Sequence, residues 1–129
     1  MYTFSEVMCM LDWDAPSDIQ DRGRNLAKHN LCIKDLLQPV TLEFNKNVWD
    51  NCALILSEKS DEELAPYLIE LLEWLKDLNW PGAMCILKRL NEYIASSTFS
   101  LAYRACIDQA KLLDDKVWEY NLGMILPKA

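Results

Sequence analysis

"LIELLEWLKDLNWPGAMCILKRL", residues Leu68 to Leu90, holds two apolar stripes of helical period on either side of a Trp-Pro-Gly break. Leu68, Leu71, Leu72, Leu75 and Leu78 recur at three- and four-residue intervals, which lines one face of a helix. Glu70, Glu73, Lys76 and Asp77 fall mostly off that stripe. After the break, Ala83, Ile86, Leu87, Leu90 and Ile94 repeat the pattern. The break itself reads as a helix boundary. Asn79 is a good capping side chain, Pro81 suits the first helical position, and Gly82 permits close approach of a neighbouring helix. Trp80, just before the first turn, is placed to pack as a hydrophobic staple. The stretch predicts a helical hairpin.

The same periodicity extends outward in both directions. Upstream, "SEKSDEEL" supplies a break and a new start, in which Ser60 and Glu63 match the capping-box pattern. Pro66 would clash with the carbonyl of Glu62 in a continuous helix, so a one-turn lead-in and a restart near Pro66 are expected. Val48, Trp49, Cys52, Ala53, Ile55 and Leu56 mark a further helix. Phe4, Val7, Met8 and Leu11 form a stripe near the start, and Ile19, Gly23, Leu26 and Ala27 a narrower one after Pro16. "LCIKDLLQPV" is a short apolar piece that Pro39 is expected to stop, and "QPVTLEFNKN" has no clear pattern. Downstream, Phe99, Ala102, Tyr103, Cys106, Ala110 and Leu113 indicate one helix. A last helix is expected to start at Asp114 or Asp115 and to carry Val117, Trp118, Met124 and Ile125. No segment alternates as a strand does. The fold class is all-α.

Self-similarity suggests how the helices are arranged. "LDW" at Leu11 to Trp13 recurs as "LNW" at Leu78 to Trp80, each followed by a proline and a helix. "VWDNCALIL" from Val48 resembles "VWEYNLGMIL" from Val117. Trp13, Trp49, Trp80 and Trp118 are 36, 31 and 38 residues apart, each just before or within the first turn of a second helix. Two-helix repeats of that length stack so that neighbours share a core which one hairpin alone cannot bury. The expectation is one domain over residues 1–129, a short HEAT-like α-α superhelix of about four irregular hairpins.

Composition bears on function. Twenty acidic against thirteen basic residues give a net charge of −7, which repels phosphate backbones and acidic membrane surfaces but suits a basic or mixed protein partner. No stretch approaches the ~18 apolar residues of a membrane span, and "MYTFSEVMCMLDWD" lacks the basic start of a signal peptide. The five cysteines are widely spaced without a C-x-x-C pair, as reduced core thiols of a cytoplasmic protein would be. No cofactor is implied. His29 is the single histidine, expected to cap a helix or lie on the surface, and no His/Cys spacing supports a metal site. P-loop, G-x-S-x-G and dinucleotide motifs are absent.

Two candidate activities remain. Glu73 and Asp77 lie one helical turn apart with Trp74 beside them, and Asn79 follows. This cluster, extended along a rim by Asp50 and Asn51, forms a candidate protein-binding patch. The alternative gives Glu73 and Asp77 an acid/base role in a small hydrolase or a nucleic-acid-processing enzyme. Such an enzyme needs a cleft, and the nucleic-acid variant needs a basic track. Arg22, Arg24, Lys28, Lys34, Lys88, Arg89 and Arg104 are instead spread among more numerous acids. A third expectation, a homodimer, comes from the apolar "NLGMILPKA" ending, since terminal repeats expose one face unless capped.

Lys46 to Leu90 resembles a bacterial family of small HEAT-like domains, with "LLEWLKDLNWPGA" the most specific stretch. "LDWDAPSDIQDRGRNLA" is similar to the family's opening segment, so the resemblance covers roughly two thirds to three quarters of the chain and is weaker after Tyr93. It implies an α-α superhelix in a bacterial cytoplasm and carries over no catalytic residues. By analogy with small acidic helical domains that neutralise bacterial toxins, it also suggests an immunity-type, non-enzymatic protein.

Overall fold

The structure is a computed structural model and describes residues 2–41 and 44–128. It is all-helical, and no strand occurs among the described residues. In chain order the α-helices are α1 (Phe4–Met10), α2 (Ser17–Asn30), α3 (Ile33–Leu36), α4 (Gln38–Thr41) and α5 (Trp49–Ser57). They continue with α6 (Asp61–Leu64), α7 (Leu68–Glu73), α8 (Ala83–Glu92), α9 (Ser97–Leu112) and α10 (Lys116–Leu122). Short 3-10 turns lie at Lys46–Val48, Ala65–Tyr67 and Trp74–Lys76.

The helix starts follow from local chemistry. The Ser60 hydroxyl accepts from Glu63 N at 3.1 Å, and the Glu63 carboxylate accepts from Ser60 N at 3.0 Å, which completes the expected capping box. Thr3 and Glu6 do the same for α1, a box the stripe alone did not signal. Both glutamates are held below the ordinary carboxylate range by those bonds from Thr3 and Ser60. Asp115 accepts from Trp118 N at 3.0 Å and opens α10 where expected. Pro66 stands in the 3-10 turn between α6 and α7, so the lead-in and restart are as its ring requires. Pro39 behaves differently from the expectation. It falls inside α4 and does not stop the apolar piece, because the first turn of a helix has no need of its missing N–H. Leu42 and Glu43 of the unclear segment lie outside the described residues.

Packing joins these short pieces. α1 and α2 form a hairpin packed tightly at Gly23, where a Cβ would meet Met10 Cβ at 2.7 Å. α2 packs on α5, α5 on α8, α7 on α9, and α10 on both α9 and the 3-10 turn Trp74–Lys76. The leucine stripe supplies the centre of the core, with Leu68, Leu71, Leu72 and Leu75 all buried. Leu11, Ile86 and Leu90 are buried with them.

Three side-chain N–H groups reach across helix ends. Asn51 Nδ2 donates to Leu11 O at 2.7 Å, Asn121 Nδ2 to Leu75 O at 2.8 Å, and Trp118 Nε1 to Leu72 O at 3.1 Å. Each adds a bond to a carbonyl at the end of an earlier helical segment. The two similar segments from Val48 and Val117 thus share a physical role as well as a pattern.

The four tryptophans keep their expected places along the chain but differ in environment. Trp49 and Trp118 are buried, Trp80 is half-buried and Trp13 is exposed at 44%. At the Trp13 corner the backbone is tied to the turn before α5, Trp13 N donating to Asn47 O at 3.0 Å.

A polar node ties α6 to α8. Asp61 takes the Arg89 guanidinium at 2.5 Å and Ile94 N at 2.9 Å, while Tyr93 Oη donates to Asp61 O at 3.1 Å. Burial works to raise the Asp61 pKa, but the Ile94 and Arg89 bonds and the charges of Arg89 and Lys128 together hold it below the ordinary carboxylate value. A folded-state pKa lowered in this way contributes stability above about pH 4, lost as pH falls through the folded value. Asp61→Asn is therefore expected to cost about 1–2 kcal/mol at pH 7. The deficit should close as pH falls below the ordinary aspartate value and through the lowered folded one, as urea melts across pH would show.

Candidate functional site

The break after α7 is built as two successive turns. Trp80 N donates to Asp77 O and Ala83 N to Trp80 O, each at 3.1 Å. Within the second, Pro81 and Gly82 occupy the central positions, and Gly82 has φ 83° and ψ −15°. These are the features of a type II turn, for which Pro-Gly is the preferred pair. α8 consequently begins at Ala83 with Gly82 as its cap, and neither Pro81 nor Asn79 takes the place expected of it. Asn79 is exposed, and its backbone N–H donates to Asp77 Oδ1 at 2.8 Å.

The corner closes over an aromatic cluster. Trp49 stands edge-on to both neighbours, with ring centroids 6.1 Å from Trp74 and 5.6 Å from Trp80. Trp74 is fully buried, and its Nε1 donates to Pro81 O at 3.0 Å. Lys46 Nζ lies over Trp49 at 5.6 Å and over Trp80 at 6.0 Å, a cation–π cover at the rim.

This geometry corrects the candidate patch. Trp74 faces inward, since it stands three residues after Leu71 and four before Leu78 and so falls at the edge of the apolar stripe. Asn51 is also buried, where it caps Leu11 O and is bonded to Gln20 Oε1 at 2.9 Å and Arg24 at 2.6 Å. Neither offers a surface to a partner. Glu73 pairs with Lys76 at 3.1 Å, and Lys76 Nζ lies 4.7 Å over the Trp118 ring. Asp50 is exposed at the start of α5.

The thiols divide by burial. Cys52 and Cys106 are core residues, and burial pushes each thiol up to about 12. Burial raises half-exposed Cys85 too. Cys9 and Cys32 are exposed, contrary to the expectation for core thiols, because α1 and the turn before α3 present them to solvent. All five are free. Among the described residues no group of His, Cys, Asp and Glu could hold a metal ion, and no helix is long and apolar enough to cross a membrane.

Among the described residues two grooves open along α9, besides a hollow of about 520 Å³ at α10 lined by Lys116, Glu119, Tyr120, Gly123 and Met124. One of about 310 Å³ runs between α7 and α9 and is lined by Pro66, Leu68, Ile69, Thr98, Leu101 and Ala102. Leu101 is 73% exposed and Ile69 45%. No periodicity argument singled it out, because Ile69 and Leu101 are off-stripe residues that read as isolated surface apolars; only their shared solvent exposure marks them. The second groove, about 720 Å³, lies between α9 and the tail Ile125–Lys128, with Phe99, Tyr103 and Ile107 on its floor. Asn91 holds the tail at Leu126 N (2.7 Å), and Lys128 Nζ caps the end of α8 at Leu90 O (2.8 Å) and Tyr93 O (2.6 Å).

A family model described as "Domain of unknown function (DUF5071)" matches residues 44–128, from just before the first tryptophan of the aromatic cluster to the capping lysine. No curated protein and no solved structure matches the chain. Since the matched region holds the Trp49–Trp74–Trp80 corner, the α7–α9 groove and more than half of the chain, the chain belongs to the DUF5071 family.

Proposed function

We propose that this chain is a non-enzymatic protein-interaction module of a bacterial cytoplasm, in its narrower form an immunity-type protein that covers a toxin. The observation that carries it is the α7–α9 groove. An apolar slot with Leu101 and Ile69 standing open to solvent favours contact with another protein's apolar side chains. An acid, Glu62, stands exposed at its edge, one turn before Pro66. A basic amphipathic helix laid along α9 complements both features. None of the six residues expected to bind lines this groove. Glu73 and Asp77 are engaged in an ion pair and a turn, and neither lines the grooves above.

The finer architecture belongs with this reading. Stacking of α2 on α5 and α5 on α8, with α7 on α9, supports a short α-α superhelix. The hairpin spanning α3 to α5 is irregular, with single-turn α3 and α4 in place of a full first helix.

The test is titration calorimetry with the protein encoded by the gene adjacent to this one, using wild type and Leu101→Glu. A complex weakened at least about a hundredfold by Leu101→Glu, with thermal unfolding unchanged, is expected. A complex indifferent to that substitution would place the contact elsewhere, and no complex would remove the support of the toxin-neutralising form.

A further inference from the structure

The hollow between α9 and the tail, residues 125–128, reverses the charge balance of the chain. Its volume of about 720 Å³ is within the range that holds small molecules. The floor is apolar. The Phe99 and Tyr103 rings are nearly parallel, at 13° with centroids 6.4 Å apart, and Ile107 continues them. Around this floor stand three cations, Arg104, Lys111 and Lys128, against two acids, Asp108 and Glu119. The whole chain has thirteen basic and twenty acidic residues. Leu126 and Pro127 of the tail add exposed apolar surface to the hollow.

The placing of those charges matters more than their number. Going round α9, the side chains that line the hollow follow in the order Tyr103, Ile107, Lys111, Arg104 and Asp108, in steps of about 20–40°. The two cations therefore border the apolar floor, and Asp108 lies beyond them. Seven residues apart, Arg104 and Lys111 stand on nearly the same side of the helix, about 10 Å from each other along its axis. Among the described residues neither is ion-paired. Lys128 is half-buried at the Phe99 end, its Nζ 4.5 Å over that ring, and Glu119 enters from α10. A cation partly removed from water attracts an anion more strongly than one in bulk solvent. Aromatic rings beside aliphatic walls favour a flat apolar body. We propose that the hollow is a binding site for a small aromatic carboxylate. Its ring lies on Tyr103 and Ile107, and its carboxylate takes the Arg104 guanidinium in a forked pair, with Lys111 adding charge. The α7–α9 groove shares no lining residue with this hollow, so the site is independent of the interaction-module reading.

Three probes of one shape decide it: 2-naphthoate, its uncharged amide and the cation 2-naphthylmethylammonium, each titrated into the isotope-labelled full chain and followed by amide shifts. The carboxylate should bind with a Kd of about 0.1–1 mM, ordinary for a ligand of this size. The amide should bind at least about tenfold more weakly, and the ammonium more weakly still. That order is diagnostic, because adsorption to any apolar patch of a chain with net charge −7 would favour the ammonium. Shifts should gather on residues 99–111 and 125–128. Arg104→Gln combined with Lys111→Gln, at two exposed positions, should weaken the carboxylate at least about tenfold. It should leave the amide within about twofold and thermal unfolding unchanged. Leu101→Glu, in the other groove, should leave binding intact. No binding of 2-naphthoate up to about 10 mM, equal affinity for acid and amide, or indifference to the double substitution would overturn the proposal. Shifts gathered at the α7–α9 groove would do so too. None of these outcomes bears on the complex that tests the groove.

Discussion

Trp74→Ala is expected to cost about 4–6 kcal/mol, enough to unfold much of the population of an ordinary domain of this size. The side chain is completely buried and packs edge-on against Trp49, so its loss leaves a cavity that three helix ends would have to collapse to fill. Truncations of this type cost about 3–5 kcal/mol. The rest comes from Pro81 O, which loses the 3.0 Å bond from Nε1 inside a corner that water enters poorly. Two milder substitutions separate these contributions. Trp74→Phe keeps most of the packing and gives up the bond. Trp49→Phe gives up a similar volume at a site whose Nε1 has no hydrogen-bond partner among the described residues. Urea unfolding should therefore rank Trp74→Phe below Trp49→Phe by about 1 kcal/mol. Equal losses would mean that the Pro81 bond contributes nothing net. One corollary concerns function: Trp74→Ala is a folding variant, and an effect of it on partner binding would say nothing about contact surfaces.

Much of the fold was legible where local chemistry and the core agree. The stripe from Leu68 to Leu75, the Ser60–Glu63 box, the interruption at Pro66 and the start of α10 all follow from periodicity and capping alone. The candidate patch was less legible, because charge and aromaticity do not reveal which way a side chain points. Position within the stripe does. Trp74 fits the spacing of Leu71 and Leu78, and Asn51 stands three residues after Val48 and four before Ile55. Both therefore face the core, and Asn51 tolerates burial because Leu11 O, Gln20 and Arg24 satisfy its amide. The α7–α9 groove was invisible for the opposite reason. Ile69 and Leu101 lie on separate helices 32 residues apart, and only tertiary packing brings them to one slot. The even spacing of the tryptophans marked helix starts correctly but said nothing of burial, which depends on what each corner packs against.

Gly82→Ala is the second substitution with a large expected effect, about 2–5 kcal/mol and a fall in Tm of about 10–20 °C. Two independent costs combine at this position. The backbone stands at φ 83°, where a Cβ clashes with its own carbonyl at about 1–2 kcal/mol. The added atom would also come within 2.7 Å of Ala53 Cβ, 2.9 Å of Trp49 O and 3.1 Å of Trp74 Cζ2. Two of these neighbours lie on α5 and the third is a core indole, so none can yield without displacing a helix or the aromatic cluster. Overpacking of this sort costs about 1–3 kcal/mol. Gly82→Asn tests the division, since asparagine tolerates positive φ but carries the same Cβ. It should recover only the backbone share, about 1 kcal/mol. Pairing Gly82→Ala with Ala53→Gly removes the nearest contact and leaves Trp49 O in place, so a double-mutant cycle should show partial rescue, with coupling of about 0.5–3 kcal/mol. Full recovery by Gly82→Asn would mean that φ alone matters and that α5 and α8 are less tightly apposed than the distances require. Zero coupling with Ala53→Gly would mean the same. The close approach at Gly82 is what seats Trp74 under the turn, so the strain predicted here and the cavity predicted for Trp74→Ala are two readouts of one corner.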